Sequence, residues 1–349
     1  MIERYSDIVI TGASAISAAG VGLEPLRAAV AAGESCLKPV PEEILPGGFS
    51  WGRAESFKAT DFIPPLKARK LDRCSQFAVV AAGQALADAG IARGDLPPDR
   101  IGIVLGCGFG GIANSEEFLT GYFSKGMDGL APMLFPNTVA NAPASNASIE
   151  YGLQGPNVTI VQRFCSAESA FQMACRFLDE GRADVILTGG VDDVTPRMMQ
   201  AFREMRQLRR WGSGYGEGAG LVVLERRAHA ERRGARMRAL VSAVATIGHF
   251  LPGATERGLA KLLGPAAPVA VASLSGVADL LPEFEAAAAS AERTVALQRI
   301  SGRALAMGGL SVAVLSSMLG AGESALHIGA SPEGPYFAFS LLGGPAGAA

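Results

Sequence analysis

The chain has 349 residues, 49% of them hydrophobic and 18% charged, with a formal net charge of -2. That length suits about two domains of ordinary size or one large α/β unit, at roughly 150 residues per domain. A near-neutral balance without basic clusters argues against a nucleic-acid surface, and the arginine-rich stretches 203–210 and 226–236 read as solvated helix faces.

The amino terminus runs directly into an apolar strand over residues 8–10, with no signal-like hydrophobic region before it, so a cytoplasmic protein without a membrane anchor is expected. A turn and a helix over 23–32 follow, then a Pro/Gly-rich loop over 45–66. Small and apolar residues recur at helical spacing over 74–89. A β-branched run at 101–105 predicts a buried strand. Further strands are expected at 158–161, 185–187 and 221–224, with a helix at 167–178 between the first two. Beyond a join near 226–240 the pattern resumes: a loop at 252–268, a strand at 269–272, a helix at 280–291, apolar stretches at 310–319 and 336–342, and a frayed tail at 343–349. Buried strands alternating with helices indicate an α/β fold. We divide it into an N-terminal half, 1–230, and a shorter C-terminal half, 231–349.

Five cysteines, odd in number and without a CxxC pair, fit reduced thiols rather than a disulfide framework. Three histidines, His229, His249 and His327, show no metal-ligand spacing, so no metal and no cofactor are expected. Cys165 is the exception to this plainness. It lies between an apolar run and a helical stretch, and a thiol at a strand-to-helix turn is exposed to the positive end of the helix dipole, which favours the thiolate. Three readings stand: a working acyl acceptor, a relic of one, or a structural core cysteine. Arg163 and Glu168 flank it. Arg163 either helps hold a thiolate or pairs with Glu168.

Five segments, taken together, carry a resemblance: residues 8–13 (Ile-Val-Ile-Thr-Gly-Ala), Leu71-Asp-Arg-Cys-Ser-Gln-Phe-Ala, Tyr151-Gly-Leu-Gln-Gly-Pro, Gly181-Arg-Ala-Asp-Val-Ile-Leu-Thr-Gly-Gly and Gly216-Glu-Gly-Ala-Gly-Leu-Val-Val-Leu-Glu. In this order the chain resembles the β-ketoacyl synthase family, the condensing enzymes of fatty acid and polyketide synthesis, most strongly before residue 230. The resemblance implies a thiolase-like layered α-β-α-β-α sandwich of two pseudo-duplicated halves. It also implies dimerisation along a strand beside the cysteine, and Cys165 at the family's acyl-accepting position.

The chain departs from the family where the chemistry is completed. Active members pair the cysteine with two histidines and a lysine, donors aimed at the oxygen on which charge develops during malonyl decarboxylation. Here Ser275 stands at the first histidine position, Arg303 at the second and Gln298 at the lysine. The family's C-terminal Phe-Gly-Phe-Gly-Gly reads Phe339-Ser-Leu-Leu-Gly-Gly, and residues 205–214 run straight into the Gly-Glu-Gly-Ala-Gly motif without the usual preceding loop. Losing one such donor costs about 10²–10³ in rate. Losing two approaches roughly 10⁴–10⁶, effects that are not additive. An arginine is a permanent cation and shuttles no protons. His249, in Ile247-Gly-His-Phe-Leu-Pro-Gly-Ala, imitates the second motif but precedes Ser275, the reverse of family order. His229 and His327 carry no assigned role.

A ketosynthase-like chain without both histidines resembles a chain-length factor, the non-condensing subunit of type II polyketide and polyene systems, although that subunit often has glutamine at the cysteine. The resemblance implies pairing with an active ketosynthase in a heterodimer, with an acyl carrier protein bringing the chain. It points to Phe109, Phe118, Tyr122, Met133 and Phe135, with Leu342, as walls of an acyl tunnel; ordinary core packing is the competing account of each. The second reading is an enzyme, a Cys165-dependent acyltransferase or thioesterase-like protein that does not decarboxylate malonyl. A stand-alone ketosynthase comes third.

Overall fold

The computed structural model describes residues 2–345 apart from 213, 252 and 265–268. Ten principal strands build it: β1 (Ile8–Ser17), β2 (Ile101–Cys107), β3 (Asn157–Ile160), β4 (Val185–Asp192), β5 (Gly218–Arg226), β6 (Ala239–Ile247), β7 (Val271–Gly276), β8 (Arg293–Val295), β9 (Ser324–Ala330) and β10 (Tyr336–Gly343). The helices that matter to the site are α1 (Arg73–Asp88), α2 (Ile112–Lys125), α3 (Ala142–Tyr151), α4 (Ser166–Asp179), α5 (Thr255–Leu263), α6 (Pro282–Ala289) and α7 (Gly308–Met318).

The strands lie in the order β8-β7-β9-β10-β6-β1-β5-β4-β2-β3. Split between β6 and β1, this order contains the same five-strand motif twice. In the first half the sequence β1-β5-β4-β2-β3 has two antiparallel joints followed by two parallel ones. In the second, β6-β10-β9-β7-β8 repeats the pattern joint for joint. The halves touch through Ala239↔Ile10 and Leu240↔Val9. The duplication is legible in topology although no sequence repeat announces it.

Helices complete the layers because strands buried on both faces need a cover on each. One core cluster packs α1 and α3 against the first half. A second joins α4 and α7 to strands of both halves, and a third lies beneath α6 and Leu262 of α5 on the far side of the second half. The result is the expected α-β-α-β-α layering. α4 and α7, each following the last strand of its half, are the central pair.

Two expectations are corrected. The stretch 252–268 was expected as loop, but Thr255–Leu263 is helical. Its apolar residues Leu259, Leu262 and Leu263 fall at the spacing of one helical face and pack on the third cluster. Residues 252 and 265–268 lie outside the described residues. Of the expected tail, Gly343 ends β10 and the Gly344 N–H donates to the Arg238 carbonyl at 2.9 Å, while 346–349 lie outside the described residues. No helix among the described residues is long and apolar enough to cross a membrane.

Candidate active site

Cys165 sits where the chain turns from β3 into α4, as its last residue before the helix. The turn is held tightly. The Ser166 hydroxyl donates to the Arg163 carbonyl at 2.7 Å and accepts from the Gln162 N–H at 2.9 Å. Arg163 takes φ 49°, one of two non-glycine residues among those described with positive φ. Such a conformation costs about 1–2 kcal/mol and persists only where the surroundings enforce it. This is the strand-to-helix elbow that the sequence implied.

The electrostatics reverse the expectation for the thiol. Cys165 is wholly buried, and its S–H donates to the Pro335 carbonyl at 3.4 Å. Burial, followed by the negative charge of Glu168, pushes the thiol well above its ordinary pKa. The helix dipole is outweighed because the elbow is sealed from water, and a charged sulfur has nothing to solvate it.

Glu168 does not pair with Arg163. Arg163 reaches outward to Glu333 at 3.4 Å, an exposed pair. Glu168 points inward from the first turn of α4 and is 1% exposed. Its Oε1 accepts from the Ser275 hydroxyl and lies 3.1 Å from His327 Nε2. The other imidazole nitrogen, Nδ1, is 2.8 Å from Ser273 Oγ. Strands β7 and β9 bring these groups together because their parallel register sets Ser273 beside His327 and Ser275 beside Gly329. Two glycines leave room for the carboxylate where it now lies: a Cβ at Gly308 would come 2.3 Å from it, and one at Gly329 2.4 Å. A buried acid–histidine–serine cluster therefore fills the space beneath the cysteine. His327 was missed in the sequence. A histidine inside the apolar strand Ser324–Ala330 was the available signal, but its partners lie some fifty and some hundred and sixty residues away.

The three residues that the resemblance sets at the family's donor positions are held as follows. Ser275, at the first histidine position, is engaged by Glu168 and lies 3.4 Å from His327 Nε2. Arg303, at the second, is 4% exposed and clamped. Its guanidinium makes a bidentate pair with Asp279 at 2.8 and 2.9 Å and donates to the Gly276 carbonyl. Gln298, at the lysine position, is buried, and its Oε1 has no hydrogen-bond partner. Asp192, at the end of β4, accepts from the Gly108 and Ala306 N–H groups at 2.7 and 2.6 Å, tying the β2–α2 loop to the segment that carries Arg303. Ser275 and Arg303 are thus held by other groups, and Gln298 carries a neutral amide.

The aromatic candidates gather elsewhere. Phe118 stacks obliquely on Phe135 with centroids 5.9 Å apart, and Tyr122 meets Phe123 edge-on at 5.6 Å. Tyr122, Met133 and Phe135 are exposed, and α2 contains no buried residue. Phe109, also exposed, leans on Phe202 at 6.0 Å. These five lie on α2 and its flanking loops. Leu342 does not join them: it is paired opposite Leu240 near the far end of β10, about 20 Å along the strand from the Pro335 end that meets Cys165. His249 is exposed, its Nδ1 2.9 Å from the Phe250 carbonyl, and His229 Nδ1 lies 2.7 Å from buried Glu225. The His249 ring lies 5.5 Å from that of Tyr336, the neighbour of the Pro335 that accepts from Cys165.

Comparison with known proteins agrees with this architecture. The β-ketoacyl synthase N-terminal domain matches residues 5–230. The 3-oxoacyl-[acyl-carrier-protein] synthase 2 of Vibrio cholerae serotype O1 is 30% identical over 291 residues, 77% of this chain and 70% of that protein. The enzyme of the same name from Rhizobium meliloti is 32% identical over 275 residues, 70% of this chain and 64% of that protein. Among solved structures, the ishigamide ketosynthase/chain length factor superposes with a TM-score of 0.80 at 24% identity, covering 97% of this chain and all of that one. A type II polyketide synthase ketosynthase, described in complex with its acyl-carrier protein and bound to the hexaketide, also gives 0.80, at 20% identity over 98% of this chain and all of that one. With its doubled five-strand topology, its cysteine elbow and these matches, the chain belongs to the β-ketoacyl synthase family.

Proposed function

We propose that this chain is a chain-length-factor-like subunit: a ketosynthase fold that does not condense, pairs with an active ketosynthase, and shapes the acyl tunnel where the two meet. The observation that carries the reading is the state of the three donor positions. Ser275 is consumed by Glu168, Arg303 by Asp279 and Gly276, and Gln298 offers no charge. An oxyanion formed at Cys165 would find the Ser275 and Arg303 donors already committed and only a neutral amide at Gln298, which forfeits much of the electrostatic stabilisation such chemistry depends on.

Two surface features support the pairing. β3 is the end strand of its half, bonded on one side only to β2, so its other edge is open beside the cysteine elbow. The neighbouring α2 presents Leu119, Tyr122 and Phe123 to solvent, with Met127, Met133 and Phe135 just beyond it. A patch of this kind on one face marks a protein interface. In the assembled dimer Phe109, Phe118, Tyr122, Met133 and Phe135 would stand at the junction and limit acyl length, and the partner would receive the chain from an acyl carrier protein.

The test is elongation from malonyl-loaded acyl carrier protein, followed by intact mass, with this chain co-expressed beside a condensing ketosynthase of the same source. The reading expects full elongation with Cys165→Ala in this chain and none when the partner's cysteine is replaced. Loss of turnover with Cys165→Ala, in a complex that still assembles, would instead establish the Cys165-dependent acyltransferase.

A further inference from the structure

Behind α2 lies a cavity of about 820 Å³. One wall is the inner side of that helix, with Glu116, Thr120 and Ser124, and the opposite wall is the segment after β4, with Asp193 and Thr195. Asp193 is 5% exposed, and its Oδ2 has no hydrogen-bond partner. Its charged neighbours are of its own sign, Asp72, Asp192 and Glu217, and together with burial they hold its carboxyl well above the usual range. The two arginines nearby are committed to another acid. Arg73 donates to Glu217 at 3.1 and 2.6 Å and to the Ala54 carbonyl, and Arg53 lies 3.6 Å from Glu217. The remaining cation on the lining, Lys125, is exposed at the end of α2.

A buried carboxylate without a partner is costly, and proteins keep such groups where a counter-charge arrives or where a proton replaces it. The position of the cavity says where the counter-charge would come from. One wall is the helix that carries the exposed Leu119, Tyr122 and Phe123, and the lining residues Thr120, Ser124, Lys125 and Asp128 of that helix and the turn after it are themselves exposed, so a subunit docked on this helix comes within reach of the cavity. We infer that the Asp193 cavity receives a cationic side chain, an arginine or lysine, from the ketosynthase that docks on α2, and that this buried pair fixes the register of the two subunits. The inference rests on the pairing proposed above and adds a determinant of partner choice: a buried acid favours a partner that brings a cation to that point and disfavours one that brings another acid.

The experiment measures dissociation constants for the co-purified pair at two salt concentrations, with unfolding midpoints of the isolated chain as the second readout. Asp193→Asn preserves shape while removing the charge. The inference expects it to weaken the pair by about tenfold or more and to leave the isolated chain as stable or more stable at pH 8. Thr120→Arg, at an exposed position on the cavity wall, supplies an internal guanidinium and should weaken pairing in the wild-type background but not on top of Asp193→Asn. Unchanged affinity in Asp193→Asn overturns the inference. So does a parallel fall of affinity and isolated-chain stability, which would make Asp193 a structural residue only. If the wild-type chain forms no complex with a ketosynthase, the pairing itself is wrong, an outcome distinct from both.

Discussion

At the scale of single residues, the site is defined by what each polar group is already bound to. The Arg303–Asp279 pair is buried, with side chains 5% and 12% exposed. Asp279→Ala would leave a guanidinium uncompensated and is expected to lower stability by about 3–5 kcal/mol in urea unfolding, whereas exchanging both partners for apolar residues of similar volume should cost far less. The thiols make a second prediction. Native alkylation at pH 8 followed by peptide mapping should label half-exposed Cys36 first and spare Cys165 until the chain unfolds. Rapid labelling of Cys165 would show that the elbow opens. The elbow was legible beforehand, because an apolar run, a cysteine and a helical stretch are local sequence, whereas the reading of Ser275, Gln298 and Arg303 as replaced donors came from the resemblance. The fate of Glu168 was not legible, because its partners are set by the β7–β9 register rather than by anything near it in the chain. The thiol's raised pKa was equally hidden, since dipole direction is readable from sequence and burial is not.

The secondary-structure elements show where stability and function separate. α4 and α7 are packed within the shared core, while α2 buries no residue. Substitution of Phe123, 79% exposed, by serine should therefore leave the unfolding midpoint of the isolated chain within about 0.5 kcal/mol of wild type. The same change should weaken association with a ketosynthase; urea unfolding checks the first expectation and a titration monitored by light scattering the second. The strands and central helices were recovered well because buried β-branched runs between glycine turns have few other readings. The helix at Thr255–Leu263 was obscured by the prolines and glycines around it, although its leucines carry the right spacing.

The whole molecule has a pH dependence whose sign follows from its buried acids. Burial raises Asp192 to about 7 even though the Gly108, Ala306 and Leu305 amides oppose the shift. Its unfolded value is about 3.9, so the folded state holds the extra proton between the two, and stability from this group is lost as pH rises from about 4 to 7. Glu225 behaves oppositely. Burial alone would raise it, but Arg233, Thr11 and His229 outweigh that and lower it, so its contribution is lost as pH falls below the ordinary carboxylate range. Thermal unfolding across pH 3–9 should show a maximum on the acid side of neutrality, and Asp192→Asn should flatten the fall between pH 4 and 7. That variant should also be less stable near pH 5, because an amide offers one acceptor where the two N–H groups use two carboxylate oxygens.

The twice-used order of five strands has a consequence for how such a fold would lose condensing chemistry. The ladders and the central helices carry the fold, whereas Ser275, Gln298 and Arg303 sit at a strand end and in a connecting segment of the second copy only. Replacing them breaks no ladder and empties no core. On the proposed reading, the first copy, keeping the elbow and the open edge, is the one that another subunit would meet. A reaction centre assembled from two hands can therefore be disarmed through one of them, leaving the other still extended toward its partner.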